Sequence, residues 1–404
     1  MSHPWTLVLI MVVAVLAPLL SYGLGRWVRV PLVIFEIVLG ILVGPDVLGL
    51  ARHDQAVDML SDLGLSMLIF LAGYEIEFAA VRGDTLRRAG WAWGVSLGLG
   101  LGLALALTGA DVSKTFVIGT ALTSTALGTV LPILRDSGDL KGRFGTVMMA
   151  FGAVGEFGPI IAMALLLSGR QPGRSAAVLL AFAAVTAAAI FWALRPRRPW
   201  FARVVANTLH SSAQFAMRFV MLLLVAMLAL AGAFGLDTLL GAFAAGILTR
   251  LVMHGAAPES SPEILGKVEA MGFGFFVPVF FVVTGIEFDL ASLLDGGRAL
   301  ALLPVFLLLF LLVRGLPAYL LAPRDLGSAD RRSLALYCST CLPLVVAITT
   351  IGLDEKVIAK GEAAALVGAA MISVLVLPLL ALRVRTRGGG ARPTGGPIEN
   401  AETW

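Results

Sequence analysis

Long apolar runs alternate with short polar connectors along almost the whole chain. An α-helix needs about 20 apolar residues, rising about 1.5 Å each, to cross the hydrocarbon of a bilayer. Lipid cannot pair with backbone polar groups, so each run is predicted to be helical. We predict thirteen spans, at residues 4–24, 30–50, 57–78, 85–109, 113–136, 144–168, 175–195, 212–232, 237–255, 262–288, 297–321, 330–352 and 359–383.

One run carries a single acidic residue near its middle. Glu156 interrupts the apolar segment from Phe144 to Ser168. A carboxylate at that depth is costly, so it is a functional hypothesis by default. Burial favours its protonated form and a bound cation favours the carboxylate, so a proton and a metal cation would compete for Glu156. The alternative is a protonated Glu156 that donates a hydrogen bond between helices.

Two other spans carry hydroxyl clusters ahead of a helix-breaking proline, Pro132 in one and Pro343 in the other. The hydroxyl residues are Thr123, Ser124 and Thr125 in the fifth span and Ser339 and Thr340 in the twelfth. Interruptions at corresponding positions of two halves indicate a midplane binding site, where helix ends and freed carbonyls hold an ion. The alternative is that the hydroxyls bond to their own helix while proline kinks it.

A seven-span offset relates the two halves of the chain. Residues 70–78 end the third span and residues 281–290 end the tenth, and both contain a Gly followed by two closely spaced acids. An odd offset inverts the second copy relative to the first, as in many secondary transporters. The same offset pairs the fifth span with the twelfth, so we predict an inverted-topology repeat.

Arg314 and Glu36 are charged residues within predicted spans that bear on the site. Arg314 keeps its proton and therefore needs a counter-charge or a water-filled cavity. Glu156 is the preferred partner, Glu36 is the second candidate, and snorkelling to the membrane surface is the alternative. Glu36 lies about two turns from the cytoplasmic end of the second span, where we favour a structural role and keep it as a secondary ion-site candidate.

Composition excludes a soluble protein. The chain is 58% hydrophobic and 14% charged, with a mean hydropathy of +0.93, so we expect an all-α polytopic membrane protein. Cys338 and Cys341 lack further ligands at zinc spacing and are interpreted as packing residues. No nucleophile and base adjoin at a segment end, so we expect neither an enzyme nor a cofactor.

The basic residues indicate a topology. Lys and Arg concentrate in alternate loops, which places the C-terminus in the cytoplasm and the N-terminus outside a cell membrane. The pI of about 9.3 is explained by this bias rather than by a nucleic acid partner. Residues 1–383 form the predicted membrane domain, and the Gly-rich, polar residues 384–404 form a predicted disordered tail.

Four sequence patterns together resemble the bacterial monovalent cation:proton antiporter-2 family. They are Gly44-Pro45 with Leu48-Gly49, Phe70-Leu71-Ala72-Gly73-Tyr74-Glu75-Ile76-Glu77, Thr123-Ser124-Thr125-Ala126, and Phe276-Val277-Pro278-Val279-Phe280-Phe281 with Gly285. The resemblance covers essentially all of the membrane region. It implies a homodimer of thirteen-span protomers, each with a dimerisation domain and a mobile core, and with two discontinuous helices that cross near the ion site.

The resemblance also assigns roles to residues. Glu156 takes the position of the family's essential acid and would bind the metal cation or the proton. Gly155 takes the preceding position, where the family usually has Asp, Asn or Gln, so this chain departs from the pattern. Arg314 resembles a basic residue that bonds to the acidic pair in some exchangers. One titrating carboxylate beside a permanent cation suggests electroneutral exchange. The nucleotide-binding domain of many potassium-linked relatives is not expected here.

The preferred function is therefore exchange of sodium or potassium for protons. Oxygens of the five hydroxyl residues are expected to complete the coordination by Glu156. The alternatives are a sodium-coupled symporter for an organic solute and a membrane sensor or channel that does not exchange ions. A symporter needs more uncommitted polar residues than the spans provide, and a channel favours a line of polar residues over one buried carboxylate.

Overall fold

The computed structural model describes residues 4–24, 32–51, 55–75, 83–140, 142–166, 172–193, 199–236, 238–256, 258–294 and 297–387. All the regular elements in these ranges are helices. They are α1 Pro4–Leu24, α2 Leu32–Val43, α3 Gln55–Glu75, α4 Asp84–Leu107, α5 Val112–Ala121, α6 Leu127–Asp136, α7 Arg143–Leu166, α8 Pro172–Ala193, α9 Pro199–Thr208, α10 Phe215–Phe234, α11 Thr238–Ala256, α12 Ser261–Met271, α13 Val277–Ile286, α14 Leu290–Leu294, α15 Arg298–Phe310, α16 Leu316–Leu321, α17 Ser328–Cys338, α18 Pro343–Asp354 and α19 Lys360–Arg387.

Ten helical stretches of the described chain are long and apolar enough to cross a membrane. The other three predicted spans coincide with the short helix α2, with α8, and with the interrupted pair α5 and α6. The prediction of an all-α, multi-pass membrane protein is confirmed, while the number thirteen stays a prediction. Of the two acids that close the third predicted span, Glu75 ends α3 and Glu77 lies outside the described ranges. Residues 384–387 of the predicted disordered tail instead form the last turn of α19, and residues 388–404 lie outside the described ranges.

Two spans continue through a single π-helical turn rather than a break. Gly272–Phe276 joins α12 to α13, and Leu311–Gly315 joins α15 to α16. Such turns insert one extra residue per turn and often accompany functional positions. The second of them carries Arg314.

The helices pack as two bundles. The first bundle contains α1, α2, α3, α10, α11, α12 and α13; the second contains α4, α5, α6, α7 and α14 to α19. Helix α8 lies between them, against α7 of the second bundle and α10 and α11 of the first, and the short helix α9 packs against α10.

Close glycine contacts hold the first bundle together. A Cβ on Gly40 in α2 would lie 3.0 Å from the Cα of Gly285 in α13, and one on Gly285 would lie 2.9 Å from the Cα of Gly40. Only glycine allows two membrane helices to approach this closely. Helix α2 from the N-terminal half of the chain and α13 from the C-terminal half therefore meet in this bundle. Gly285 at this contact belongs to the predicted repeat motif at residues 281–290.

Candidate ion-binding site

The helix break between α5 and α6 is held open by hydrogen bonds to other segments. The backbone N–H of Thr125 donates to the Gly155 carbonyl in α7 at 3.0 Å, and that of Ala126 donates to the Thr340 carbonyl at 2.7 Å. These bonds satisfy buried N–H groups that have no acceptor in their own helix. Thr340 lies in the break between α17 and α18. The two discontinuous helices therefore meet at their breaks, as predicted.

Only one of the two breaks lies at its predicted proline. Pro343 begins α18, but Pro132 lies inside α6, and the first break is N-terminal to it at residues 122–126. The expectation that Pro132 interrupts the fifth span is wrong. The chain unwinds instead where Thr125 finds its acceptor in another helix.

Pro159 accounts for the acceptor on α7. In a regular α-helix the Gly155 carbonyl would bond to the N–H of residue 159, but proline has none. Pro159 lies within α7. The freed Gly155 carbonyl instead receives the N–H of Thr125. A proline in one helix thereby fixes the unwound segment of another.

The Thr125 hydroxyl is a second link. It donates to the Cys338 carbonyl at the end of α17 at 2.7 Å and accepts from Nε of Arg314 at 2.8 Å. Thr125 is fully buried. One threonine thus joins the first break to α7, α17 and the π-helical turn.

Arg314 lies inside the second bundle, with an exposed fraction of 0%. Besides its bond to Thr125, its Nη2 donates to the Phe151 carbonyl in α7 at 2.5 Å. The alternative of snorkelling to the membrane surface is wrong, because the side chain is fully buried and donates to Thr125 and Phe151. The guanidinium lies near the C-terminal carbonyls of α17, where a helix dipole favours positive charge.

Gly155 is required by this arrangement. A Cβ at Gly155 would overlap Nη2 of Arg314 and Oγ1 of Thr125, and would lie 2.8 Å from Cβ of Thr125. Arg314 therefore occupies the space that a side chain at position 155 would use.

Glu156 follows Gly155 on α7 and is buried, with an exposed fraction of 3%. Its neighbours contact different helices. The ring of Phe157 stacks on that of Phe243 in α11, with centroids 3.5 Å apart, and Gly158 packs against the indole of Trp93 in α4. The structure brings Arg314 to the turn that carries Glu156, and the charge pairing of the two stays a prediction.

The other four predicted hydroxyl ligands are buried and bond within their own segments. Each donates to a carbonyl three or four residues earlier; the donors are Thr123, Ser124, Ser339 and Thr340. The sequence offered such bonding to the hydroxyl's own helix as the alternative to a helix break. In the structure, both the local bonds and the breaks are present. A donating hydroxyl keeps lone pairs that can coordinate a cation. Coordination by these oxygens stays a prediction.

The structure places Glu36 and Glu156 in different bundles. Glu36 is buried in α2 of the first bundle, whereas Glu156 belongs to the second. Its nearest basic residues in the sequence, Arg26 and Arg29, lie outside the described ranges. Its role as a secondary site stays a prediction.

Sequence reasoning missed three contributions to the site. The Thr125 links, the fit of Arg314 against Gly155 and the Phe157–Phe243 stack all join residues distant in the sequence. One local signal was available for the first, since a proline four residues after Gly155 marks a free carbonyl in α7.

Comparison with known proteins identifies related sequences. A family model described as "Sodium/hydrogen exchanger, transmembrane" matches residues 11–382. The Bacillus subtilis (strain 168) protein named "Putative Na(+)/H(+) antiporter YjbQ" is 26% identical over 392 residues, 93% of this chain and 62% of that protein. The Bacillus cereus "Na(+)/H(+)-K(+) antiporter GerN" is 27% identical over 290 residues, 70% of this chain and 71% of that protein.

The fold is also found in a solved structure. The sodium proton antiporter MjNhaP1 from Methanocaldococcus jannaschii superposes with a TM-score of 0.65 over 95% of this chain and 97% of that one. At 15% sequence identity, this similarity concerns the fold alone.

Proposed function

Because the chain belongs to the sodium/hydrogen exchanger family, a family of transporters rather than enzymes, we propose that it exchanges sodium or potassium for protons at Glu156. One observation carries the proposal: the first helix break bonds to the turn of α7 that holds this buried carboxylate, and the second break bonds to the first. YjbQ and GerN are both named as Na(+)/H(+) antiporters, in agreement with this activity. Transported ions and the lipid bilayer are the proposed partners, without a cofactor or nucleic acid.

Competition at one carboxylate provides the coupling. A proton and a cation cannot both neutralise Glu156, so loading one requires release of the other. Lone pairs of Thr123, Ser124, Ser339 and Thr340, together with carbonyls freed at the breaks, would complete the oxygen shell that a hard cation prefers. We infer that Thr125 contributes geometry more than coordination, because its hydroxyl is already bonded to Arg314 and Cys338.

Arg314 supports an electroneutral cycle. Its guanidinium keeps its proton and hydrogen-bonds to the neutral oxygens of Thr125 and Phe151. A permanent cation beside one titrating acid leaves a single exchangeable charge, so we propose one monovalent cation per proton.

The two bundles suggest how access alternates. We propose that the second bundle is the mobile core and that the first forms the homodimer interface, as the family resemblance implies. The first bundle is built from the first three and the eighth to tenth predicted spans, which supports the inverted repeat with a seven-span offset. The proposed setting is the cell membrane, with the C-terminus in the cytoplasm.

Purified protein in liposomes tests the proposal. With an internal pH dye and an imposed proton gradient, sodium or potassium is added in turn to wild type and Glu156→Gln. Cation-dependent dissipation in wild type alone identifies the exchange and the ion. Glu259→Gln, the same change at an exposed residue between α11 and α12, is the matched control. A fully active Glu156→Gln, or wild type that moves no protons with either salt, overturns the proposal.

Voltage dependence tests the stoichiometry. An imposed membrane potential should leave the initial rate unchanged if one cation exchanges for one proton. A rate that follows the potential overturns electroneutrality without affecting the assignment of Glu156. Flux driven by an organic solute would instead support the symporter.

A further inference from the structure

A buried arginine joins the ends of both discontinuous helices to α19. Nη1 of Arg385, in the last turn of α19, lies 2.5 Å from Oδ1 of Asp139, and its Nε donates to Oδ1 of Asp330 at 2.8 Å. The side chains of Arg385, Asp139 and Asp330 are 10%, 9% and 25% exposed. Asp139 follows α6, and Asp330 lies in the first turn of α17. These three residues are called the Arg385 bridge.

Neighbouring contacts extend the bridge to α7. The Cζ of Arg385 lies 4.0 Å from the ring centroid of Phe144, which is in the first turn of α7. A guanidinium over an aromatic face is stabilised by the ring quadrupole, more strongly when water is excluded. One turn earlier in α19, the Ala381 carbonyl accepts the hydroxyl of Ser333 in α17 at 2.5 Å. The end of α19 thus contacts the segments that carry the ion site.

A short series of contacts connects the bridge to the site. The Phe144 ring lies 6.2 Å from that of Tyr337, which is fully buried in α17. Tyr337 directly precedes Cys338, whose carbonyl accepts the Thr125 hydroxyl. Packed side chains in such a dense interior cannot move independently. Displacing the bridge would therefore change the approach of Cys338 to Thr125.

The opposite end of α19 provides a natural comparison. There Glu362, in its first turn, pairs with Lys114 of α5 at 3.3 Å, with side chains 21% and 30% exposed. This single, more exposed pair belongs to a class that contributes little stability. Breaking a buried pair is more costly because the remaining charges stay in a poorly solvated site. We therefore expect that neutralising Arg385 is more costly than neutralising Glu362 at the opposite end of α19.

We propose that Arg385 is a positioning residue for ion exchange, which holds the ends of α6 and α17 so that Thr125 and Arg314 keep their geometry at the site. This inference rests on the proposed exchange function. Arg385 does not contact the ion in this arrangement and acts through Cys338 and Thr125.

The test compares Arg385→Gln, Arg385→Lys and the control Glu362→Gln in full-length protein in liposomes. Arg385→Gln should raise the apparent KM for the transported cation by about fivefold or more, the size expected for coupled neighbouring groups. Arg385→Lys keeps the charge but not the forked geometry, so its KM should lie between those of Arg385→Gln and wild type. Glu362→Gln should stay within about twofold of wild type.

A purely structural role gives a different result. If Arg385→Gln lowers only the melting temperature or the yield, and the folded protein keeps the wild-type KM, the proposal is overturned. Should Arg385→Gln fail to fold, Asp139→Asn removes one partner alone and must shift KM in the same direction. An unchanged KM in Asp139→Asn then overturns it. Failure of the exchange function itself would appear independently, as wild type without cation-dependent proton movement.

Discussion

The guanidinium of Arg314 fills the space that a side chain at Gly155 would need. A Cβ on Gly155 would overlap Nη2 of Arg314 and lie 2.8 Å from Cβ of Thr125. Gly155, beside Glu156, and Arg314, in another span, therefore have to be considered together. A carboxylate or amide at position 155 and a guanidinium in its present place exclude each other.

Gly155→Ala tests this steric relationship. The added methyl group must displace Arg314 or Thr125, which we expect to destabilise the fold by about 1–3 kcal/mol, as overpacking of a dense core does. Cation-driven proton movement should fall at least about tenfold, because both displaced groups define the site geometry. Thermal unfolding and liposome exchange measure the two effects.

The control for this prediction is Gly102→Ala in α4. A Cβ there meets no atom within 4 Å, and alanine favours a helix over glycine by up to about 1 kcal/mol. Gly102→Ala should therefore be neutral or slightly stabilising, with normal exchange. Equal behaviour of the two variants would contradict the close fit of Arg314 against Gly155.

Sequence alone could predict the acidic residue and the two interrupted spans, because each is a local pattern. It misplaced the first break, since unwinding at Thr125 depends on a free carbonyl in α7 and on Thr340. The inward direction of Arg314 was the preferred prediction, because a permanent charge within a span needs a counter-charge or a cavity. Its hydrogen bonds to Thr125 and Phe151 were out of reach, since they join residues distant in the sequence.

Thr125→Val should affect stability and exchange together. The change keeps the shape of the side chain but removes its hydroxyl. Nε of Arg314 then loses a hydrogen-bond acceptor, and the carbonyl of Cys338 loses a donor. A buried polar group left unsatisfied costs about 1–3 kcal/mol, so we expect a clear fall in melting temperature and weaker cation affinity.

Two companion variants separate the hydroxyl from side-chain shape. Thr125→Ser keeps the hydroxyl and should retain most of the affinity. Thr350 is exposed on α18, and its hydroxyl donates to the Val346 carbonyl of the same helix. Thr350→Val should therefore leave the melting temperature and the cation affinity nearly unchanged. If Thr125→Val keeps the wild-type KM, the hydroxyl does not organise the site.

Pro159→Ala should weaken the first helix break. Alanine restores an N–H at position 159 that competes with Thr125 for the Gly155 carbonyl. Helix α7 gains regularity, since proline costs about 3 kcal/mol in a helix interior, while the α5–α6 segment loses an anchor. We expect faster hydrogen exchange at the Thr125 amide and slower ion exchange, without loss of folded protein.

The matched control for Pro159 is Pro18→Ala, an exposed proline within α1. It makes the same backbone change far from the breaks, so ion exchange should be unaffected. An unaltered Thr125 amide in Pro159→Ala would mean that the break does not depend on the freed carbonyl.

The division into two groups of helices was implied by the family resemblance, but the contacts between them could not be predicted. Phe157 and Phe243 are ordinary apolar residues of apolar spans, and nothing in their local sequence distinguishes them from lipid-facing neighbours. Arg385 likewise followed the last predicted span, and only the fold shows it between Asp139 and Asp330. Long-range partners of this kind are decided by tertiary packing rather than by periodicity.

The Phe157–Phe243 stack should bias the equilibrium between the two bundles. It joins α7, next to Glu156, to α11 of the first bundle, with ring centroids 3.5 Å apart. Aromatic pairs add about 0.5–1.5 kcal/mol beyond their buried area, so losing one shifts a two-state population by up to about tenfold. Phe157→Leu should therefore depopulate the arrangement described here.

Spin labels at two exposed positions, Trp91 in α4 and Leu222 in α10, measure this change. In Phe157→Leu they should report a second distance between the bundles. Phe234→Leu removes an edge contact with Phe182 instead and should leave the distances unchanged. A single, wild-type distance in Phe157→Leu would show that the stack fills space without holding the bundles in this arrangement.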